Sequence, residues 1–199
     1  MALQPIPLVL YSDGPRLPTG LARITRDLAS RLWKERGDLG VDLLQVGWDP
    51  KAGPSVDWPV YQLSQLHSEG DWGAREIREV WEAHYGHDRG VLFSVWDPSR
   101  AFSLLELQHP DRHLWGYFPM DGCNTSGSFG GPAREAIQRY NRVLAYGRWG
   151  SQVLATIRRP LAWIPHGVDL TTWTLGHHSA DAERAAEFLR WREDSWILG

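Results

Sequence analysis

Apolar runs of strand length alternate with amphipathic stretches of helix length over most of the chain, and no other feature restricts the fold as strongly. The run Pro7-Leu8-Val9-Leu10-Tyr11 leads through a loop containing Gly14, Pro15 and Pro18 to Gly20. From there Leu21, Ile24, Leu28 and Leu32 recur at helical spacing, which predicts a helix capped by Thr19 and ended by Gly37 and Gly40. Residues 41–46 read as a second strand and 58–63 as a third, edge-like because Pro59 has no N–H to donate. The alternation continues with a helix over 71–85, a strand over 90–96, a helix near 99–107, a strand over 113–118 and a helix over 132–140. A strand over 142–146, a helix over 149–157 and a strand over 161–164 follow. Strands joined through helices cross over rather than pair as hairpins. The expectation is therefore an α/β domain, Rossmann-like, with a mostly parallel sheet of about six or seven strands and helices on both faces.

A chain of 199 residues holds one such domain and a tail, at about 100 to 200 residues per domain. After Asp169 the composition turns polar through Thr171, Thr172, Gly176, His177 and His178. A helix capped by Ser179 is expected next, and Trp196-Ile197-Leu198 reads as the start of one more strand. Residues 1–169 are thus assigned to the domain and 170–199 to a crossover leading into another. The net charge of −3, with neither sign gathered in a block, carries no nucleic-acid or membrane footprint. Cys123 is the only cysteine, which excludes an internal disulfide and a cysteine metal site, and no nucleophile signature surrounds it. Prolines at 5 and 7 interrupt the N-terminal apolar run, and no stretch reaches the about 20 apolar residues of a membrane span. A soluble, cytoplasmic protein is expected. Of the twelve tryptophans most are read as packing residues, with one or two as stacking platforms for a sugar or base.

Open parallel sheets bind ligands beyond the carboxyl ends of their strands, which directs attention to loops 12–20, 96–98, 118–131 and 165–169. In the first, Ser12 and Asp13 end a strand and Gly20 enters a helix, whose free N–H groups and dipole suit an anion. Arg23 in the first turn opposes that dipole unless a ligand anion compensates it; the alternative is a tight turn at Gly20 and a solvated arginine. Asp97 follows the strand over 90–96. Asp121 and Gly122 follow the strand over 113–118, where an acid can bind a hydroxyl or transfer a proton; Asp121 reads equally as a turn former. The spacing from Gly14 to Gly20 matches neither the dinucleotide fingerprint nor the P-loop, and Gly47-Trp48 stands where a dinucleotide enzyme carries an acid, which disfavours an oxidoreductase. His84 with His87, and His177 with His178, have no third ligand at metal spacing, so no metal is expected.

Three longer stretches carry a family resemblance. Ser12-Asp13-Gly14 with Thr19-Gly20-Leu21-Ala22-Arg23-Ile24-Thr25-Arg26-Asp27-Leu28-Ala29 resembles the first loop and helix of GT-B glycosyltransferases of the retaining glycogen-synthase-like and mannosyltransferase-like group. Val143–Gly150 resembles that group's strand and turn before a cleft-facing helix, and Ile164-Pro165-His166-Gly167-Val168-Asp169 its domain junction, which here implicates His166, Gly167 and Asp169. The resemblance runs from about residue 8 to 173 and implies the acceptor-side, N-terminal half of a metal-independent transferase. Its donor and co-substrate would be a nucleotide-sugar, its acceptor a hydroxyl compound, with no other cofactor. It implies that Gly20, and Arg23 with it, approaches the donor diphosphate; the catalytic role expected of Asp121 is inferred from its place after the strand end, and Ser12, Asp13, Asp97 and Gly122 are expected to line the cleft from theirs. The pattern departs where Tyr117-Phe118-Pro119-Met120-Asp121 stands in place of the histidine many members carry there. The family's second Rossmann-like domain, with its basic donor-phosphate residues, has no counterpart within these 199 residues. The expectation is a chain incomplete for catalysis by itself, needing that domain in cis or in trans; the competing expectation is a non-catalytic glycan- or nucleotide-binding module. The Asp-x-Asp pattern that holds a cation against a sugar diphosphate is absent, which disfavours a metal-dependent transferase.

Overall fold

The strands follow one another in the order β3-β2-β1-β4-β5-β6-β7 across a single seven-stranded sheet, with every neighbouring pair parallel. They are β1 (Ile6–Asp13), β2 (Val41–Trp48), β3 (Val60–Gln62), β4 (Gly90–Ser94), β5 (Arg112–Phe118), β6 (Arg142–Ala145) and β7 (Ala162–Trp163). The helices are α1 (Gly20–Leu39), α2 (Ala74–Tyr85), α3 (Pro98–Ala101), α4 (Gly131–Arg139) and α5 (Arg148–Ala155), and α3 passes into a 3-10 segment over Phe102–Leu107. This is a computed structural model, and it describes residues 4–48, 55–64, 70–158 and 160–167. The described residues fall almost entirely in one compact unit, Met1–His166. The crossover expected over 170–199, and Asp169 with it, lies outside the described residues.

Parallel strands are covered on both faces, so their sequences run apolar without alternating, and β1 shows why. Leu10 packs with Leu43, Val95, Tyr117 and Leu144 on the face that α1 covers. Its neighbours Val9 and Tyr11 point the other way, into a larger cluster closed by Ile77 and Trp81 of α2, Leu104 and Leu107 of the 3-10 segment, Ile137 of α4 and Leu154 of α5. Complete burial of one such leucine contributes about 2 kcal/mol, and both faces of the sheet collect several. The distribution of helices is uneven, with α1 on one face and the other helices on the opposite one.

The elements form where expected, with differences that have local causes. Helix α1 runs through Gly37 and ends at Gly40, whose left-handed φ of 61° lets its N–H reach the carbonyls of Arg36 and Gly37. Its completely buried residues are the small Ala22, Thr25 and Ala29, while the expected Leu21, Ile24, Leu28 and Leu32 flank the contact half-buried. Helix α2 begins three residues later than expected, because Gly70, Trp72 and Gly73 all take positive φ. The helix expected near 99–107 is one α-helical turn followed by tighter winding that turns Ser103, Leu104, Leu105 and Leu107 inward together. Strand β3 is a short edge strand, and Pro59, unable to donate, accepts from the Gln45 N–H through its carbonyl at 3.0 Å. At the opposite edge β7 leaves Trp163 half exposed. No helix among the described residues is long and apolar enough to cross a membrane.

Candidate functional site

Strand β1 is the point where the chain's direction of travel across the sheet reverses, since β2 lies on one side of it and β4 on the other. The loops leaving β1 and β4 consequently diverge and open a crevice at the carboxyl edge, the usual ligand position in open α/β sheets. A cleft of about 660 Å³ occupies that crevice. Its first wall is Asp13 with Thr19, Gly20, Leu21 and Ile24 at the start of α1; its second is Trp96, Asp97, Ser99 and Arg100 after β4; and Pro119 and Asp121 after β5 complete it.

On the first wall Thr19 is the N-cap of α1. Its hydroxyl accepts from the Ala22 N–H at 3.1 Å and donates to the Asp13 carboxylate, which ties the end of β1 to the helix. Gly20 is the first residue of the helix, its φ lies outside the left-handed region, and an added Cβ would meet no heavy atom within 4 Å. Neither backbone conformation nor packing therefore requires glycine there, and the bare backbone faces the cleft. Arg23 is exposed, in the first turn of α1, and does not line the cleft. Ser12 is completely buried and its hydroxyl donates to the Val95 carbonyl at 2.8 Å, locking β1 to the segment after β4 from beneath the site.

The second wall is held by Asp97, the N-cap of α3, whose Oδ1 accepts from the Ser99 N–H at 2.8 Å and from the Ser99 hydroxyl at 2.5 Å. Behind it stands an aromatic cluster. Trp48 packs edge-on against Tyr11, Trp96 and Trp72, with ring centroids 5.7, 5.4 and 6.1 Å apart. The buried Tyr11 hydroxyl donates to the Trp72 carbonyl at 2.5 Å, and burial, with the charge of neighbouring groups, raises its pKa well above the ordinary value. Trp72, whose carbonyl accepts that bond, takes a left-handed conformation, φ 49°, which a bulky residue adopts rarely. The Arg100 guanidinium then lies 4.7 Å from the ring centroids of both Trp72 and Trp96.

Asp121 is exposed and lines the cleft, whereas Gly122 beside it does not. Beyond them the loop closes on itself: Asn124 Oδ1 accepts from the N–H groups of Ser126 and Ser128, and Gly127 supplies the φ of 74° the turn needs. Cys123 is exposed in this loop, its thiol free. A separate group gathers after β5, β6 and β7, where the His166 ring packs edge-on against Tyr146 at 4.3 Å and lies 6.0 Å from Tyr117. The Tyr117 hydroxyl donates to the Ile164 carbonyl at 2.5 Å; burial pushes its pKa up to about 12 and lowers that of His166. Burial also raises Tyr146, helped by the charges of Tyr117 and Asp121. Gly167 is exposed beside His166. No three potential metal ligands come together among the described residues, and His84 packs edge-on against Tyr85 at 4.6 Å.

The structure thus brings Asp13, Gly20, Asp97 and Asp121 to one cleft, leaves Arg23 and Gly122 off its walls, puts Ser12 beneath it, and adds Trp96 and Arg100. The signal for those two was their place just after a strand end; their pairing with Trp72 joins residues 24 and more apart and has no sequence period. The chain matches no protein-family model and no curated protein at a significant level.

Proposed function

We propose that this domain is the acceptor-side half of a GT-B glycosyltransferase that moves a sugar from a nucleotide-sugar donor to an acceptor hydroxyl. The observation that carries the reading is the cleft at the β1/β4 crevice, where the open N-terminus of a 20-residue helix faces carboxylates from three different strand ends. Carboxylates that accept hydroxyl hydrogens, beside an indole wall, suit a polyhydroxylated ligand. A helix N-terminus with a bare glycine suits the approach of a diphosphate.

In this reading the acceptor oxygen forms a bond to the anomeric carbon of the donor sugar while the bond from that carbon to the diphosphate oxygen breaks. The diphosphate departs with the electron pair, and the proton of the acceptor hydroxyl passes to a base, for which Asp121 is our candidate. The first-turn N–H groups of α1 stabilise the departing charge, together with basic groups of a second Rossmann-like domain in cis or in trans, without a metal ion. Closure of that domain would exclude water from the cleft.

The test is to titrate the chain with a panel of nucleotide-sugars, then assay transfer to hydroxyl acceptors after adding the donor-binding half of a GT-B enzyme. We expect binding by the chain alone, transfer only in the combined sample, and a loss of about 100-fold or more in that transfer for Asp121→Asn. Binding of glycans or nucleotides without transfer in any combination would favour a non-catalytic binding module. No binding of any nucleotide-sugar would sink the donor assignment.

A further inference from the structure

We propose that the cleft takes a polyhydroxylated ligand carrying one anionic group, a phosphate ester or a carboxylate, and that the Arg100 guanidinium is the receptor for that group. The inference deepens the reading of the cleft as a sugar site and names the chemical class of its acceptor.

Arg100 is half-buried and, among the described residues, is the only cation that lines the cleft. Among the described residues, no carboxylate lies within ion-pair distance of it. Other buried and half-buried arginines donate to protein oxygens, among them Arg26, which donates to the Pro15 carbonyl at 3.0 Å. Arg112 pairs with Asp88 and donates to the Leu107 carbonyl, while Arg158 donates to the carbonyls of Gln138, Tyr140 and Asn141. Arg100 has instead two indoles, each 4.7 Å from its central carbon. Rings at that distance attract the cation but satisfy none of its N–H groups in the guanidinium plane. A guanidinium steadied by aromatic rings keeps its fork of donors for an oxyanion, which it binds bidentately with a geometry lysine cannot reproduce.

The support beneath the arginine is costly, which argues against accidental packing. Trp72 is held in a left-handed conformation worth roughly 1–3 kcal/mol of strain, and the buried Tyr11 hydroxyl is committed to its carbonyl. Trp96, the other ring, is almost completely buried and leaves β4 directly into the cleft wall. The same wall and its neighbours present Asp13, Asp97 and Asp121, acceptors suited to hydroxyl groups on a ligand whose anionic end is anchored by Arg100.

The chain, with Arg100→Met and Arg100→Lys variants, is titrated calorimetrically with a neutral hexose, the corresponding hexose phosphate, a hexuronate, inorganic phosphate and a nucleotide-sugar. We expect the chain to bind the hexose phosphate or the hexuronate at least about tenfold more tightly than the neutral hexose, a difference of about 1.4 kcal/mol. Whichever of the two shows the advantage identifies the anionic group. Arg100→Met removes the advantage, and Arg100→Lys restores part of it, because charge returns without the planar fork. The near-ultraviolet circular dichroism of the indoles checks that the wedge stays packed; if Arg100→Met unfolds, an advantage reduced below that of the wild-type chain in a folded Arg100→Lys variant decides. Equal affinity for neutral and anionic hexoses, no binding of any hexose derivative, or an anion preference untouched by both variants would overturn the proposal. So would variants that weaken only the nucleotide-sugar, since the arginine would then serve the donor. Absence of transfer with every donor defeats the transferase reading and leaves an Arg100-dependent anion preference standing, so the two failures are separable.

Discussion

Gly20 lines the cleft, Gly47 sits against the end of β1, and the two answer to opposite constraints. At Gly20 a Cβ meets open space, so Gly20→Val should change unfolding free energy by no more than about 0.5 kcal/mol while obstructing a diphosphate at the helix entrance. Paired denaturation and nucleotide-sugar titrations check this: wild-type stability with affinity reduced at least about tenfold is expected, a change of about 1.4 kcal/mol in binding. At Gly47 a Cβ would lie 2.4 Å from the Ser12 carbonyl oxygen, and backbone cannot yield as a side chain can. Gly47→Ala should therefore cost about 2 kcal/mol of stability, read as a lowered denaturation midpoint. His166 adds a pH dependence. Its folded pKa lies below the ordinary 6.5 because burial disfavours the imidazolium, so the unfolded chain binds the additional proton. That stabilisation is complete above the unfolded pKa and is lost as pH falls from 6.5 to the folded value. Calorimetry should show a melting temperature that declines on acidification through this window, and less so in His166→Gln; the effect is small because the ring is largely solvent-exposed.

At the scale of elements, the cleft depends on how the sheet is braced around β1 and β4. Gly90 opens β4 with φ 150°, and a Cβ there would lie 2.7 Å from the Pro7 carbonyl oxygen, so close β1–β4 packing is set at the amino edge. Nearby, Arg112 at the start of β5 is 4% exposed, spans Asp88 and the Leu107 carbonyl, and lies over the Trp81 ring of α2 at 4.8 Å. Asp88→Ala would leave that guanidinium buried without its counter-ion. The expected loss is about 2 kcal/mol, below the value for a completely buried pair because the Asp88 side chain is 46% exposed. Urea denaturation checks it, and since Asp88 is remote from the carboxyl edge, ligand affinity should not change.

For the whole molecule, the functional candidates among the described residues gather at the carboxyl edge of the sheet, while the Gly90 and Arg112 ties lie at the amino edge. The carboxyl edge carries two groups, the cleft at the β1/β4 crevice and the Tyr117, Tyr146 and His166 cluster after β5 to β7, with the charge of Asp121 acting on Tyr146. If the cleft is half of a two-domain transferase, the chain alone should bind donor weakly and turn over little, while adding a donor-binding domain in trans should raise transfer with saturable dependence on its concentration. Robust transfer by the chain alone, measured as sugar incorporated into acceptor, would contradict that dependence.

The amino-acid sequence by itself determined the α/β class, the parallel sheet and most element positions, because hydrophobic period, glycine and proline placement and capping residues are local signals. It also placed Asp13, Gly20, Asp97 and Asp121 at strand ends and helix entrances, which the topology then gathers into one cleft. Ser12 could not be told from a ligand-facing residue, since its burial depends on the Val95 carbonyl 83 positions away. Arg23 read as a ligand contact from its helix position, yet only the direction of α1 relative to the crevice decides which first-turn side chains face inward. The wedge of Arg100 between Trp72 and Trp96 was invisible for the same reason: strand order sets those three residues side by side, and long-range contact of that kind leaves no period, spacing or composition to read.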